Sequence, residues 1–279
     1  MQTFVDLHIH ILPTVDDGAS TAEETVAMLQ QAYREGVRTI VATPHFGICN
    51  PKYKSLEGEK MVDLINRYLA KWEQSGYPRG IDPMPGLKVV LGNELLYTPD
   101  ITEDLKSGAA RTLGDTNYVL VEFYPNSPFA TLVAAAREMT EAGYKPIFAH
   151  IERYSALAGE PEKVDYLRDM GVLMQVNASS FLEHADGNQR RLPFFKTRAT
   201  RAYTTSRKIG SHVTSTYPMA HCIAAWELLE NNQVDLIASD AHGSKHRVPV
   251  MQEAIDAIRE AGGDAIADQL IENANKIFE

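Results

Sequence analysis

Residues 3–10, Thr-Phe-Val-Asp-Leu-His-Ile-His, run into 11–18, Ile-Leu-Pro-Thr-Val-Asp-Asp-Gly, at the start of the chain. A mostly apolar run of this length suits a strand buried on both faces, as in a parallel sheet covered by helices. Its end is polar. His8 and His10 stand two apart, so a strand turns both to one face, and Asp16-Asp17-Gly18 follow in a loop. A buried strand whose C-terminal end delivers metal-ligand side chains is the arrangement from which α/β barrels build their sites.

Six further runs repeat the pattern, at 37–43, 87–91, 118–122, 146–149, 172–176 and 235–239. The segments between them are helical in character. Ser20-Thr21-Ala22-Glu23 reads as a capping box, followed by Val26, Leu29 and Tyr33 at helical spacing and a stop at Gly36. Met61, Leu64, Ile65, Tyr68, Leu69 and Trp72 form a second apolar stripe ending near Gly76, and 131–142 and 220–230 supply others. This cadence predicts one α/β barrel, a single domain over 1–279 with no dividing linker.

Other strands end as the first does. The second runs into Thr43-Pro44-His45 and the third into Gly92-Asn93-Glu94; Glu122 ends the fourth, His150 the fifth, and Asp240-Ala241-His242 follow the seventh. With His8, His10 and Asp17 this makes five imidazoles and four carboxylates on one rim. Any one alone reads as a structural histidine or a helix cap. Together they could not share a dry pocket without cations between them. Imidazole and carboxylate without thiolate suit Mn, Fe or Zn, and the oxygen-rich share favours the harder end of that group. Nine candidates exceed the needs of one ion, so two or three are expected, with Glu94 bridging. Paired ions of this kind activate water and clamp both oxygens in phosphate-ester hydrolysis. Arg153, three residues past His150, and Arg247, five past His242, suit an anionic substrate. His184, His212, His221 and His246 read as bystanders.

Composition removes other classes. The chain has 279 residues with 27 basic and 37 acidic side chains, a net charge of −10, which argues against general nucleic-acid binding. No apolar run is long enough to span a bilayer, and the N-terminus lacks the basic start of a signal peptide, so a cytoplasmic protein is expected. Cys49 and Cys222 are the only cysteines. They are too few for a disulfide scaffold, and neither has the arginine six positions later that a thiol phosphatase loop needs. One stretch breaks the cadence: 187–219 holds seven basic residues and no acid. It reads as a surface excursion or as a cationic arm for an anionic partner.

The segments DLHIHILPTVDDGAST, GVRTIVATPH, GNELLYTPD, YVLVEF, PIFAHIERY, QVNASS and LIASDAH, with Arg247 behind the last, resemble the polymerase and histidinol phosphatase (PHP) superfamily. Within it they are most similar to the manganese-dependent bacterial protein-tyrosine phosphatases of capsular and exopolysaccharide operons, the CpsB/YwqE type. The resemblance implies a distorted (βα)7 TIM-like barrel with three metal positions. By it, His8, His10, Glu94 and Asp240 hold one ion, Glu94, Glu122 and His150 a second, and Asp17, His45 and His242 a third, while Arg153 and Arg247 bind the phosphoryl group. It further implies hydrolysis of phosphotyrosine on a tyrosine kinase that controls polysaccharide synthesis. A small phosphomonoester such as histidinol phosphate is the alternative substrate, and a non-catalytic metal-binding regulator the alternative role. The segment 187–219 does not resemble the family's short connection there. It reads as a lineage-specific insertion or as a frame-shifted stretch.

Overall fold

The structure is a computed structural model that describes residues 3–47, 55–182 and 219–279. Residues 187–218 of the basic segment, His184, His212 and Cys49 lie outside the described residues. Strands and helices alternate in the order β1 (Phe4–Ile9), α1 (Ala22–Arg34), β2 (Val37–Ala42), β3 (His45–Phe46), α2 (Ser55–Ser75), β4 (Lys88–Leu91), β5 (Glu94–Leu96), α3 (Ile101–Ser107), β6 (Tyr118–Glu122), α4 (Phe129–Glu141), β7 (Lys145–Phe148), α5 (Pro161–Asp169), β8 (Leu173–Asn177), α6 (Met219–Glu230), β9 (Leu236–Ala238), α7 (Met251–Gly262) and α8 (Asp264–Asn275). All strand pairs are parallel, in the orders β1-β2-β4 and β3-β5-β6-β7-β8-β9. The sheet curls until its last strand meets its first. Ile9 bridges Ala241, the His10 N–H donates to the Ala241 carbonyl at 2.9 Å, and the Asp240 N–H donates to the His8 carbonyl at 2.8 Å.

Each of the seven expected strands has a counterpart. The structure adds β3 and β5, which follow breaks at Thr43-Pro44 and Gly92-Asn93. Proline has no N–H for the ladder, so pairing skips it. The Gly92 N–H donates to Ala42 and the Glu94 N–H to the Pro44 carbonyl, which carries the register past both breaks.

Two local expectations need correction. The N-cap of α1 is Thr21, whose side chain accepts from the Glu24 N–H, so the cap lies one residue later than the Ser20–Glu23 reading. Glu24 reaches back to the N–H and hydroxyl of Ser20, at 2.9 and 2.6 Å. The stripe on α2 is only partly used. Leu69 is buried and Met61, Ile65 and Trp72 pack against the core, but Leu64 and Tyr68 are 52% and 48% exposed, because the helix lies on the outer layer with one narrow contact face.

Strand alternation sorts side chains between two layers. Phe4, Ile9, Ile40, Val89, Val119, Val121, Phe148, Met174, Val176 and Ile237 join the large core shared with the helices. Val5, Leu7, Val41, Leu120, Ile147, Leu236 and Ala238 form a separate apolar cluster, together with Leu113, Ala274 and Ile277. Two residues further along the same faces stand Glu122 after Leu120 and Asp240 after Ala238. The first strand needs an adjustment. Asp6 pairs with Ile40 and Ile9 with Ala42, three residues against two, so a bulge falls between them. It switches the alternation, and His8 and His10 come to the face that Val5 and Leu7 occupy below.

Candidate metal centre

The loop after β1 folds back on the strand. The Ala19 N–H donates to the His10 carbonyl, and Asp16 Oδ1 accepts from the Gly18 N–H at 2.9 Å. Gly18 passes so close that a Cβ there would sit 2.2 Å from the His10 carbonyl oxygen. Only glycine permits this approach. The turn brings Asp16 Oδ2 to 2.7 Å from His10 Nδ1 and to 3.0 Å from the His45 N–H.

Three other residues at the rim adopt left-handed backbone, His150 (φ 36°), Asp240 (φ 50°) and Arg247 (φ 49°), among five such non-glycine residues described. Each costs of the order of 1–3 kcal/mol and persists where surrounding contacts over-determine it. Here the contacts are visible. The His150 N–H donates to Gln175 Oε1 at 2.9 Å, the Asp240 N–H to the His8 carbonyl, and the Arg247 carbonyl accepts from the His242 N–H at 2.9 Å.

These turns gather all nine predicted ligands. His8 Nε2 lies 3.1 Å from Glu94 Oε2 and 3.4 Å from Asp240 Oδ1, and His10 Nε2 lies 3.2 and 3.7 Å from the same two atoms. The two Nε2 atoms are 3.2 Å apart. Donors bound at about 2.1 Å to one small cation stand about 3.0–3.5 Å from each other, so these four atoms are spaced as one ion's ligands. His45 Nδ1 lies 3.1 Å from Glu94 Oε2 and 2.9 Å from Glu122 Oε1. Its Nε2 lies 3.4 Å from Asp17 Oδ1, as does His242 Nε2. His150 Nε2 is 2.8 Å from Glu94 Oε1 and 3.9 Å from Glu122 Oε2.

Three groups of donors could each hold an ion: His8, His10, Glu94 and Asp240; His45, Glu94 and Glu122; His10, Asp17, His45 and His242. Glu94, His10 and His45 each serve two of them. His150 approaches Glu94 without completing a group of its own. Glu94 Oε2 and His45 Nδ1 are buried yet make no well-formed hydrogen bond. Buried polar atoms without well-formed partners carry a desolvation cost, which a cation between them removes. The donor set fits divalent ions.

Electrostatics agree. Burial alone would raise the Glu94 and Asp240 carboxyls, but His8, His10 and His150 around Glu94, and Arg153, His8, Arg247 and His242 around Asp240, hold both well below the ordinary carboxylate range. Burial pulls the histidines down, yet Asp16 and Glu94 raise His10 to about 9, while Asp17, Glu122 and Glu94 raise His45 to about 12. Burial keeps His242 at about 4, helped by the nearby His10. Protons on His10 and His45 stand where metal charge would otherwise balance the carboxylates.

Both predicted arginines reach the rim. Arg153 donates to Asp240 Oδ2 at 2.6 Å and Arg247 to the same oxygen at 2.8 Å. Asn177 Nδ2 donates to it too, at 2.7 Å. Asn177, Gln175 and Asp16 were not among the residues expected from sequence. Gln175 and Asn177 carry a legible sign, two amides spaced for one face of an otherwise apolar strand. Asp16 does not, because its neighbour Asp17 fits the same motif and only the turn at Gly18 decides which of them points at His10. His221, set aside as a bystander, is held to about 4 by burial first and then by the charges of Arg153 and His150. His246 is exposed, as expected of a bystander.

Among the described residues no helix is long and apolar enough to cross a membrane. The family model for capsular polysaccharide synthesis, CpsB/CapC, matches residues 4–194 and 211–279 and passes over 195–210, inside the basic segment. The tyrosine-protein phosphatase CpsB of Streptococcus agalactiae serotype V is 31% identical over 275 residues, covering 98% of each chain. The tyrosine-protein phosphatase YwqE of Bacillus subtilis is 29% identical over 278 residues, covering 98% of this chain and 91% of its own. Among solved structures, a chain from the work on YwqE of B. subtilis and CpsB of Streptococcus pneumoniae, described as metal-dependent tyrosine phosphatases, superposes with a TM-score of 0.73. It is 26% identical, over 98% of this chain and 93% of that one. The phosphotriesterase homology protein of Escherichia coli shares the fold alone, at a TM-score of 0.51 and 14% identity. With an imidazole and carboxylate rim spaced for ions, and with both lengths of matching sequence contributing to it, this chain belongs to the CpsB/CapC capsular polysaccharide synthesis family.

Proposed function

We propose that the protein is a metal-dependent protein-tyrosine phosphatase, with a tyrosine kinase that controls capsular or exopolysaccharide synthesis as its substrate. The observation that carries the reading is the set of donor groups sharing Glu94 and His45 directly beside Arg153 and Arg247. Its ligands are His8, His10, Glu94 and Asp240 for one ion, Glu94, Glu122 and His150 for a second, and Asp17, His45 and His242 for a third. Manganese is the favoured metal, since oxygen donors make up almost half the set. Bound ions would supply an activated water and charge to offset that of the phosphoryl oxygens. The chain's own part is to bind and orient. Arg153 and Arg247 swing a fraction of their reach from Asp240 Oδ2 to grip the phosphate in bidentate fashion. Their partial exposure, 22% and 27% of each side chain, leaves them open to a ligand. The breaks in β2/β3 and β4/β5 support counting each pair as one strand, which makes the curled sheet seven-membered within a single domain.

The test is hydrolysis of p-nitrophenyl phosphate by protein stripped with EDTA and then reloaded with Mn2+, followed by turnover of a phosphotyrosine peptide against histidinol phosphate. Lost and recovered activity with faster peptide turnover is expected. Faster turnover of histidinol phosphate would move the substrate to small phosphomonoesters, and no activity with any divalent ion would leave a non-catalytic regulator.

A further inference from the structure

With β2/β3 and β4/β5 each counted as one strand, β8 is the one described strand that brings no candidate ligand to the rim, yet Gln175 sits in it with no solvent exposure and touches three residues of the site. We infer that Gln175 is a positioning residue, one that selects which nitrogen of His8 and which oxygen of Asp240 face the ions through a hydrogen-bond chain polarised by the His150 backbone amide. This rests on the reading of His8 and Asp240 as ligands.

The direction of the chain follows from obligatory donors. A side-chain amide has one accepting and one donating end. The His150 N–H can only donate, and it lies 2.9 Å from Gln175, so the atom there is the oxygen. That same oxygen is 3.2 Å from His8 Nδ1. The His8 proton therefore sits on Nδ1, and a neutral ring leaves Nε2 bare toward Glu94 and Asp240. The other end of the amide donates to Asn177 Oδ1 at 3.0 Å. Asn177 is thereby turned with its own NH2 toward Asp240 Oδ2, at 2.7 Å. Oδ2 is now saturated by donors from Asn177, Arg153 and Arg247. Oδ1 is left to face the two Nε2 atoms.

Both branches start from one amide, and they need opposite polarities. Glutamate keeps the acceptor but loses the donor, and methionine loses both. The same oxygen also ties down the left-handed turn at His150, which carries that imidazole to Glu94.

Calorimetric titration of metal-free protein with Mn2+ tests the inference. The Gln175→Met variant is expected to bind about 10–100-fold more weakly than the original, the range typical of partners that orient ligands. Gln175→Glu is expected to recover most of that loss, because the acceptor toward His8 and His150 remains. In zinc-loaded, otherwise unaltered protein, long-range 1H–15N spectra should find the His8 proton on Nδ1, a measurement that does not depend on either variant folding. Full Mn2+ affinity in Gln175→Met, equal losses in both variants, or a His8 proton on Nε2 would each overturn the role of Gln175. His8→Ala separates this from the ligand reading. Lost binding there beside intact binding in Gln175→Met sinks only the positioning role, whereas intact binding in both sinks the ligand reading as well.

Discussion

The two ends of the sheet's inner face are built from the same alternation but held by opposite forces. At one end Val5, Leu7, Val41, Leu120, Ile147, Leu236 and Ala238 pack against Ala274 and Ile277 of α8 and the turn after it. Burial of apolar surface stabilises that end with no partner required, at roughly 25 cal/mol per Å2. At the other end His8, His10, Glu94 and Asp240 are as deeply buried, yet each opposes burial unless compensated. Charge compensates there, in the form of protons on the histidines and the two arginines on Asp240, with ions as the fuller remedy. The contrast teaches that a strand can carry stability in its first residues and chemistry in its last, two residues apart on one face. Left-handed backbone at His150, Asp240 and Arg247 belongs wholly to the second end.

The sharpest way to break the comparison is Glu94→Gln. This removes the charge common to two donor groups, so phosphate-ester hydrolysis should fall by about 10³-fold or more. Bound metal per chain should fall with it, as elemental analysis would read. Retained metal and activity would show that the polar end does not depend on Glu94 as a shared ligand. At the apolar end, Leu120→Ala should cost about 2–5 kcal/mol of stability in denaturant unfolding. The folded fraction should keep its metal content. Loss of metal in that fraction would mean that the two ends are not separable.

The smallest effect sharpens the electrostatic side. His10 is raised from 6.5 to about 9 in the folded chain. Its protonation therefore stabilises the metal-free fold fully below pH 6.5, and that contribution is lost as pH rises through about 9. The melting temperature of metal-free protein should fall over this window, while that of manganese-loaded protein should not follow it. Because the surrounding carboxylates raise His10 to about 9 and His45 to about 12, metal binding near pH 7.5 should also release protons, measurable by calorimetry in buffers of different ionisation enthalpy. Equal pH profiles with and without metal would remove the idea that protons hold the place of ions.

Much of this was readable along the chain. Near-continuous apolar runs placed the strands because a strand buried on both faces leaves no other pattern, and the nine ligand candidates stood out because each ends such a run or lies in the loop just after it. The cap of α1 was misplaced by one residue because Ser20-x-x-Glu23 and Thr21-x-x-Glu24 satisfy the same motif. The stripe on α2 was overestimated because periodicity tells which residues share a face, not how much of that face a neighbour covers.

The sequence by itself determined the parallel α/β architecture and the candidate ligands, since both are written in local runs and in side-chain chemistry at their ends. Tertiary structure alone decided how those ligands pair. The bulge between Asp6 and Ile9 turns both histidines inward, the close pass of Gly18 chooses Asp16 over Asp17 as the partner of His10, and β8 brings Gln175 to the imidazole of His8 and the amide of His150. Each is a contact between residues apart along the chain or a one-residue shift in register, and periodicity or spacing does not say which partner such a residue meets.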